Sequence, residues 1–218
     1  MIVRENTEGL YSGIEESDPD RATTLRVVTR EGTERIVRAA IHLAQQRQGK
    51  LTIGHKANVL KSDVFFRDIC LAEAKKAGVS YNEKFIDALS LDVLQHPQAY
   101  DVIVTTNIFG DILSDVASYL VGGLGLVPSA NIGDRYSLFE PVHGSAPDIA
   151  GKNMANPIAA LRSAAMLVSH LGDTEGAVRI ESAIRQVLLS GTRTRDLGGS
   201  AGTTEFGDAV LRILGTQG

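Results

Sequence analysis

The sequence has no tryptophan, a single cysteine and six prolines, and only 5% of it is aromatic. The lone Cys70 cannot close an internal disulfide, so a disulfide-stapled secreted scaffold is excluded. On a helix-patterned stretch it reads as a small buried hydrophobe in a reducing, cytoplasmic compartment. No apolar run approaches the about 18 residues that span a membrane, and no signal peptide is recognisable. Neither a lysine/arginine run nor a basic balance is present, the net charge being −4, which leaves no case for nucleic acid. Repeats of 20–50 residues and low-complexity tracts are absent too. What remains is an ordinary globular chain of 218 residues, 43% hydrophobic, long enough for one or two domains.

The densest chemistry lies in Asn107-Ile-Phe-Gly-Asp-Ile-Leu-Ser-Asp115. It follows the β-branched run Tyr100–Thr106, which reads as a buried strand. It opens a helical pattern that places Ile112, Leu113, Val116, Ala117 and Leu120 on one face. Asp111 and Asp115 are four apart, so their carboxylates share a side of that helix. Two carboxylates at a helix start, just past a strand's carboxyl end, suit a hydrated divalent cation. Dipole stabilisation of a first-turn aspartate is the plainer alternative.

Glu15 to Val28 carries a turn signal, Asp18-Pro-Asp-Arg21, between short extended pieces, and reads as a hairpin arm too thin to be stable alone. Thr29 or Thr33 is expected to cap a helix that ends near Gln48. Three strand–helix units follow. Leu51–His55 delivers Lys56, Val79–Ile86 delivers Asp87, and Val102–Thr106 delivers Asn107 and Asp111. If these strands share a sheet, all these polar residues project from its carboxyl edge, where open α/β sheets place their sites.

Gly122-Gly-Leu-Gly125 follows a helix and so lacks the context of a dinucleotide fingerprint. The loop from Leu138 to Gly151, with two prolines and small residues, is suited to wrapping backbone N–H groups around a nucleotide. Asn156-Pro157 is expected to start a helix that stops at Gly172. Helices at about 175–189 and 204–214 close the chain.

Four segments occur together and in order: Arg4-Glu-Asn-Thr-Glu-Gly-Leu-Tyr11, His55-Lys-Ala-Asn-Val-Leu-Lys61, Asn107–Asp115 and Phe139–Gly151. The set resembles the β-decarboxylating dehydrogenases, whose members act on isocitrate, homoisocitrate, 3-isopropylmalate or tartrate/D-malate. The resemblance runs over essentially the whole chain. It implies an α/β, isocitrate/isopropylmalate dehydrogenase-like fold. Residues 1–121 would form a small dimerising domain with its hairpin arm at about 14–28, and residues 122–218 the C-terminal part of a large nucleotide-binding domain. It also implies that an N-terminal segment, including part of the large domain, is missing.

By the same resemblance, Arg4 and Asn58 would bind substrate. Lys56 and Tyr11 would be catalytic, Lys56, donated across a homodimer, taking the hydroxyl proton and Tyr11 returning one to carbon. Asp111 and Asp115, with Asp87 from the neighbouring subunit of a homodimer, would hold Mg²⁺ or Mn²⁺. His143, Gly144, Ser145, Ala146, Asp148, Ile149 and Asn156 would bind the dinucleotide. Asp148 accepts from ribose hydroxyls and repels a 2′-phosphate, whereas NADP-using relatives resemble Lys-Tyr at 148–149, so NAD is expected. Taken singly, Arg4 reads as an ion-pair partner, Tyr11 as a core ring, Asp87 as a helix cap and Asp148 as a turn cap. The Glu5-Asn-Thr-Glu-Gly9 run looks more like the isocitrate, homoisocitrate and tartrate enzymes than the isopropylmalate ones. Ser62–Phe66 looks shorter than the family's turn at that place. The implied reaction is oxidative decarboxylation of a small 2-hydroxy-3-carboxy acid. The alternative is a catalytically incomplete fragment or a regulatory subunit that binds without turnover.

Overall fold

Runs of valine, isoleucine and threonine at Ile2–Arg4 (β1), Lys50–His55 (β4) and Val102–Thr105 (β6) join the more polar Ser80–Phe85 (β5) in one sheet of order β1-β6-β4-β5. Every pairing in it is parallel. The computed structural model describes residues 1–216. Parallel strands need covering on both faces, and period-2 alternation supplies an apolar layer to each. Val3, Leu51, Ile53, Val102 and Val104 pack with Val37, Ile41, Phe66 and Cys70 on one side. Those last residues belong to Arg30–Gln45 (α1) and Lys61–Ala77 (α2). Ile2 and Ile103 face the other way, against Ile86, Leu89 and Val93 of Ile86–Gln95 (α3) and Leu113 of Asn107–Ser118 (α4). Edge strand β5 carries Glu83 and Lys84, charges that discourage a further strand from adding there.

Helix ends follow local chemistry. Thr29, not Thr33, caps α1: its Oγ1 accepts from the Gly32 N–H at 3.0 Å. Thr33 lies one turn inside and donates to the Thr29 carbonyl. The helix ends at Gln45, three residues before the expected Gln48. Gly78 ends α2 with φ 68°, a left-handed conformation that a side chain would oppose. The hairpin arm is Glu15–Ser17 (β2) against Ala22–Thr24 (β3), antiparallel and exposed throughout. The Asp18 carboxylate closes its turn by accepting from the Asp20 and Arg21 N–H groups.

The chain divides into two compact units, Met1–Ala117 and Ser118–Gly218. The second holds a hairpin, Pro128–Ile132 (β7) with Ser137–Pro141 (β8), and three helices, Ile158–His170 (α5), Thr174–Leu189 (α6) and Thr203–Gly215 (α7). Ile158, Ala183, Ile184, Val187, Phe206 and Val210 form its core. Among the described residues no helix is long and apolar enough to cross a membrane.

Asp101 fastens the amino-terminal edge of the first sheet. Its buried carboxylate accepts from Arg47 Nε at 2.7 Å and the Gln48 N–H at 2.9 Å, and its carbonyl accepts from the Met1 ammonium. Burial alone would raise this carboxyl, but Arg47 and the Gln48 and Lys50 N–H groups outweigh it and hold it below the ordinary value. A depressed folded pKa stabilises above the unfolded value of about 3.9 and loses that contribution as pH falls toward the folded one. Asp101→Asn should therefore flatten the acid limb of a stability–pH curve below about pH 4, measured by urea unfolding.

Candidate functional site

The shared register of the sheet puts Arg4, Gly54, Lys84 and Thr105 side by side across neighbouring strands. Residues just beyond them therefore leave one edge together. Two polar clusters form there.

Arg4 is the centre of the first. Its Nε and Nη2 donate to Asn107 Oδ1 at 3.0 and 2.7 Å, and its Nη1 pairs with Asp111 Oδ1. Asn107 in turn donates to the Glu8 carbonyl at 2.8 Å. The Tyr11 hydroxyl donates to Asp111 Oδ2 at 2.8 Å, and the ring lies 5.7 Å from the guanidinium carbon of Arg4. That hydrogen bond to Asp111 holds the Tyr11 phenol above its ordinary pKa, so it stays protonated near neutrality. Tyr11 is 55% exposed and so is not the core aromatic that it reads as in isolation.

The second cluster joins two strand–helix units. Lys56 Nζ lies 2.7 Å from Asp87 Oδ1. The lysine, followed by the N–H groups at the start of α3, lowers the carboxyl of Asp87 and keeps it ionised. Asn58 is exposed on the turn between β4 and α2.

Helix α4 begins at Asn107, so Asp111 lies one turn in rather than in the first turn. The helix dipole alone is then a weaker account of it, because that effect fades within a turn. Asp115 is exposed one turn further. The expected apolar face of α4 is only partly buried: Leu113 is covered while Ile112 and Leu120 are exposed. Successive residues of a helix sit about 100° apart, and Phe109 and Leu113 take the sheet-facing side. Carboxylate oxygens suit a hard divalent cation. Even so, no three His, Cys, Asp or Glu side chains converge as a metal site among the described residues. Asp87 is thus not gathered with Asp111 and Asp115 within one chain.

In the second unit, His143, Gly144, Ser145, Ala146, Asp148 and Ile149 lie on a loop whose small residues are exposed. Ala146 has φ 44°, an uncommon conformation for a residue with a Cβ. The turn after it closes through the backbone, from the Ile149 N–H to the Ala146 carbonyl at 3.1 Å. His143 Nδ1 donates to the Gly144 carbonyl at 2.9 Å. Asn156 holds the start of α5 by accepting from the Ile158 N–H, and its amide donates to Asp196 at 2.8 Å. The helix starts at Ile158, with Pro157 just outside it.

Sequence reading passed over Arg26 and Asp63. The two form an ion pair of 2.6 Å beside Lys56, and the Asp63 side chain is fully buried. An aspartate in the first turn of α2, seven residues after the lysine, was the available signal; nothing in sequence pointed to Arg26.

A family model described as isocitrate/isopropylmalate dehydrogenase matches residues 1–210. The chain is 50% identical over 220 residues to the 3-isopropylmalate/3-methylmalate dehydrogenase of Methanocaldococcus jannaschii, covering 97% of this chain and 66% of that protein. It is 51% identical over 217 residues to the isocitrate/homoisocitrate dehydrogenase of Thermus thermophilus, covering 98% and 65%. The crystal structure of isocitrate dehydrogenase from Methylococcus capsulatus superimposes with a TM-score of 0.93 at 45% identity, covering 98% of this chain and 66% of that one. The chain thus spans about two thirds of the length of these relatives. A match over nearly its whole extent, at about half identity, decides its kinship: the chain belongs to the isocitrate/isopropylmalate dehydrogenase family.

Proposed function

We propose that this chain carries the proton-transfer and substrate-binding groups of an NAD- and Mg²⁺- or Mn²⁺-dependent β-decarboxylating dehydrogenase. Its substrate would be a 2-hydroxy-3-carboxy acid of the isocitrate or homoisocitrate type. The observation that carries the reading is the pair of clusters at one sheet edge, Arg4–Tyr11–Asp111 and Lys56–Asp87.

Arg4, already oriented by Asn107, offers a planar fork that matches a substrate carboxylate. Lys56, in its neutral amine form, accepts the proton of the 2-hydroxyl and becomes the ammonium. Tyr11, kept protonated by Asp111, returns a proton to carbon after carbon dioxide leaves. Asp111 and Asp115, with Asp87 from the second copy of a homodimer, would offer the oxygen ligands a hard cation needs. When bound, NAD supplies the hydride acceptor and the divalent cation the Lewis acid that stabilises developing charge on oxygen. Small exposed residues at 143–149 let backbone N–H groups approach a dinucleotide, and Asp148 favours ribose hydroxyls over a 2′-phosphate. Asn58 would contact the substrate, and Asn156 the adenine.

The names of the relatives divide between isopropylmalate/methylmalate and isocitrate/homoisocitrate. The Glu5–Gly9 run favours the latter, with 3-isopropylmalate and tartrate or D-malate as alternatives. The test is NADH formation with Mn²⁺ and each acid in parallel, with NADP as control. Turnover with isocitrate or homoisocitrate and NAD is the expected result. A folded chain that reduces neither nucleotide with any of them would overturn the reading.

A further inference from the structure

The Lys56 turn is held by groups that the chemistry above does not use. Lys56 begins the stretch Lys56–Leu60 between β4 and α2, where no ladder partner fixes the backbone. Its N–H donates to Asp63 Oδ2 at 2.5 Å. The next N–H, of Ala57, donates to His55 Nδ1 at 3.2 Å, and the buried His55 ring uses its other nitrogen on Glu83 at 3.1 Å. Two successive N–H groups at the lysine are thus tied to two buried side chains.

Asp63 is anchored in turn. Its other oxygen is ion-paired with Arg26 Nη2 at 2.6 Å without hydrogen-bond geometry, and that nitrogen donates to Thr106 Oγ1 at 2.8 Å. The guanidinium lies 4.9 Å from the centre of the Phe109 ring. Arg26 therefore connects three places: the base of the hairpin arm, the first turn of α2 and the start of α4. Arg4 and Asp111 meet on α4, while Asp63 holds Lys56, so one cation bridges both clusters.

Stability is a poor explanation for this arrangement. A buried ion pair roughly offsets its own desolvation, and apolar groups of similar volume often do as well. Arg26 Nε is moreover buried without a hydrogen-bond partner among the described residues. What the pair does supply is a fixed geometry, with a charge-assisted bond to one particular N–H.

We propose that Asp63, clamped by Arg26, is a positioning residue that fixes the Lys56 backbone and so aims its amine at the substrate hydroxyl. This rests on the dehydrogenase reading for the role of Lys56, but the clamp can be measured without turnover. The experiment is residue-resolved amide hydrogen exchange on the full chain and on Asp63→Ala. Asp63→Leu, which has no acceptor either, takes its place, under the same criterion, should the alanine variant not fold. Exchange at Lys56, relative to Ile53 in the neighbouring strand, should rise about tenfold, the factor that about 1.4 kcal/mol of lost hydrogen bonding gives. In the assay kcat should fall by about tenfold or more, because small misplacements at reacting groups are amplified, while KM for the acid changes less than about twofold. A Lys56-to-Ile53 ratio within about threefold of the unsubstituted chain overturns the proposal, since loss of stability alone moves both amides together. So does a released Lys56 amide with kcat within about threefold. Absence of turnover in the unsubstituted chain would count against the dehydrogenase reading instead, and the exchange ratio would then decide the clamp by itself.

Discussion

Replacing Lys56 with methionine should lower kcat for NAD reduction by roughly 10²- to 10⁴-fold, the usual contribution of a positioned acid–base group. Methionine keeps much of the stem and its packing but removes the amine that lies 2.7 Å from Asp87. The substrate hydroxyl then has no acceptor for its proton. Asp87 loses the partner that does most to depress its carboxyl, and its pKa should rise back toward the ordinary range. Steady-state kinetics separate the possibilities. An equal fall in kcat and kcat/KM marks an interaction made in the transition state. A rise in KM with kcat untouched would assign Lys56 to binding alone.

The largest effect on stability should come from a much smaller change. Gly199→Ala would place a Cβ 2.0 Å from the Arg193 carbonyl oxygen and 2.5 Å from its carbon. Both are backbone atoms, and the same carbonyl accepts from the Ala201 N–H at 2.9 Å. The strand-like bridge between Thr194 and Ala201 must open to admit the methyl. Overpacking against atoms that cannot rotate aside costs about 3 kcal/mol or more. For a chain of this size that is a fall in Tm of about 6–12 °C. Gly207→Ala is the control: it lies within α7, and nothing stands within 4 Å of its added Cβ. There alanine should stabilise by about 0.5–1 kcal/mol, because glycine is the poorer helix former. Thermal unfolding followed by circular dichroism reads both, and the two substitutions should move Tm in opposite directions.

How far the sequence carried the structure varied with the range of the interactions. Strands β4 and β6 were legible because their apolar residues alternate toward two layers, which placed Lys56 and Asn107 at strand ends. The hairpin arm was legible from Asp18-Pro-Asp-Arg21, a turn closed by its own aspartate. Helix boundaries slipped by a residue or a few, as at Gln45 and Ile158, because helix ends fray. The position of Asp111 relative to the helix start was misjudged because Asn107, a residue that favours caps, is already helical. Least legible was the Arg26–Asp63 pair. It joins residues 37 apart through a buried charge, and neither periodicity nor local propensity records such a contact.

Strand β1 has one neighbour, β6, and the contacts around Arg4 span 103 residues to Asn107 and 107 to Asp111. Closing so long a loop has an entropic cost that no local contact offsets in advance. During synthesis Ile2–Arg4 must therefore wait for a partner strand made about 100 residues later before this pairing can form. Helices α1 and α2, whose contacts with β4 are closer in sequence, can form while they wait. Arg4 is thus seated by the strand pairing with the longest separation in this unit, and the cluster around it is timed by the arrival of β6 rather than by any step of its own.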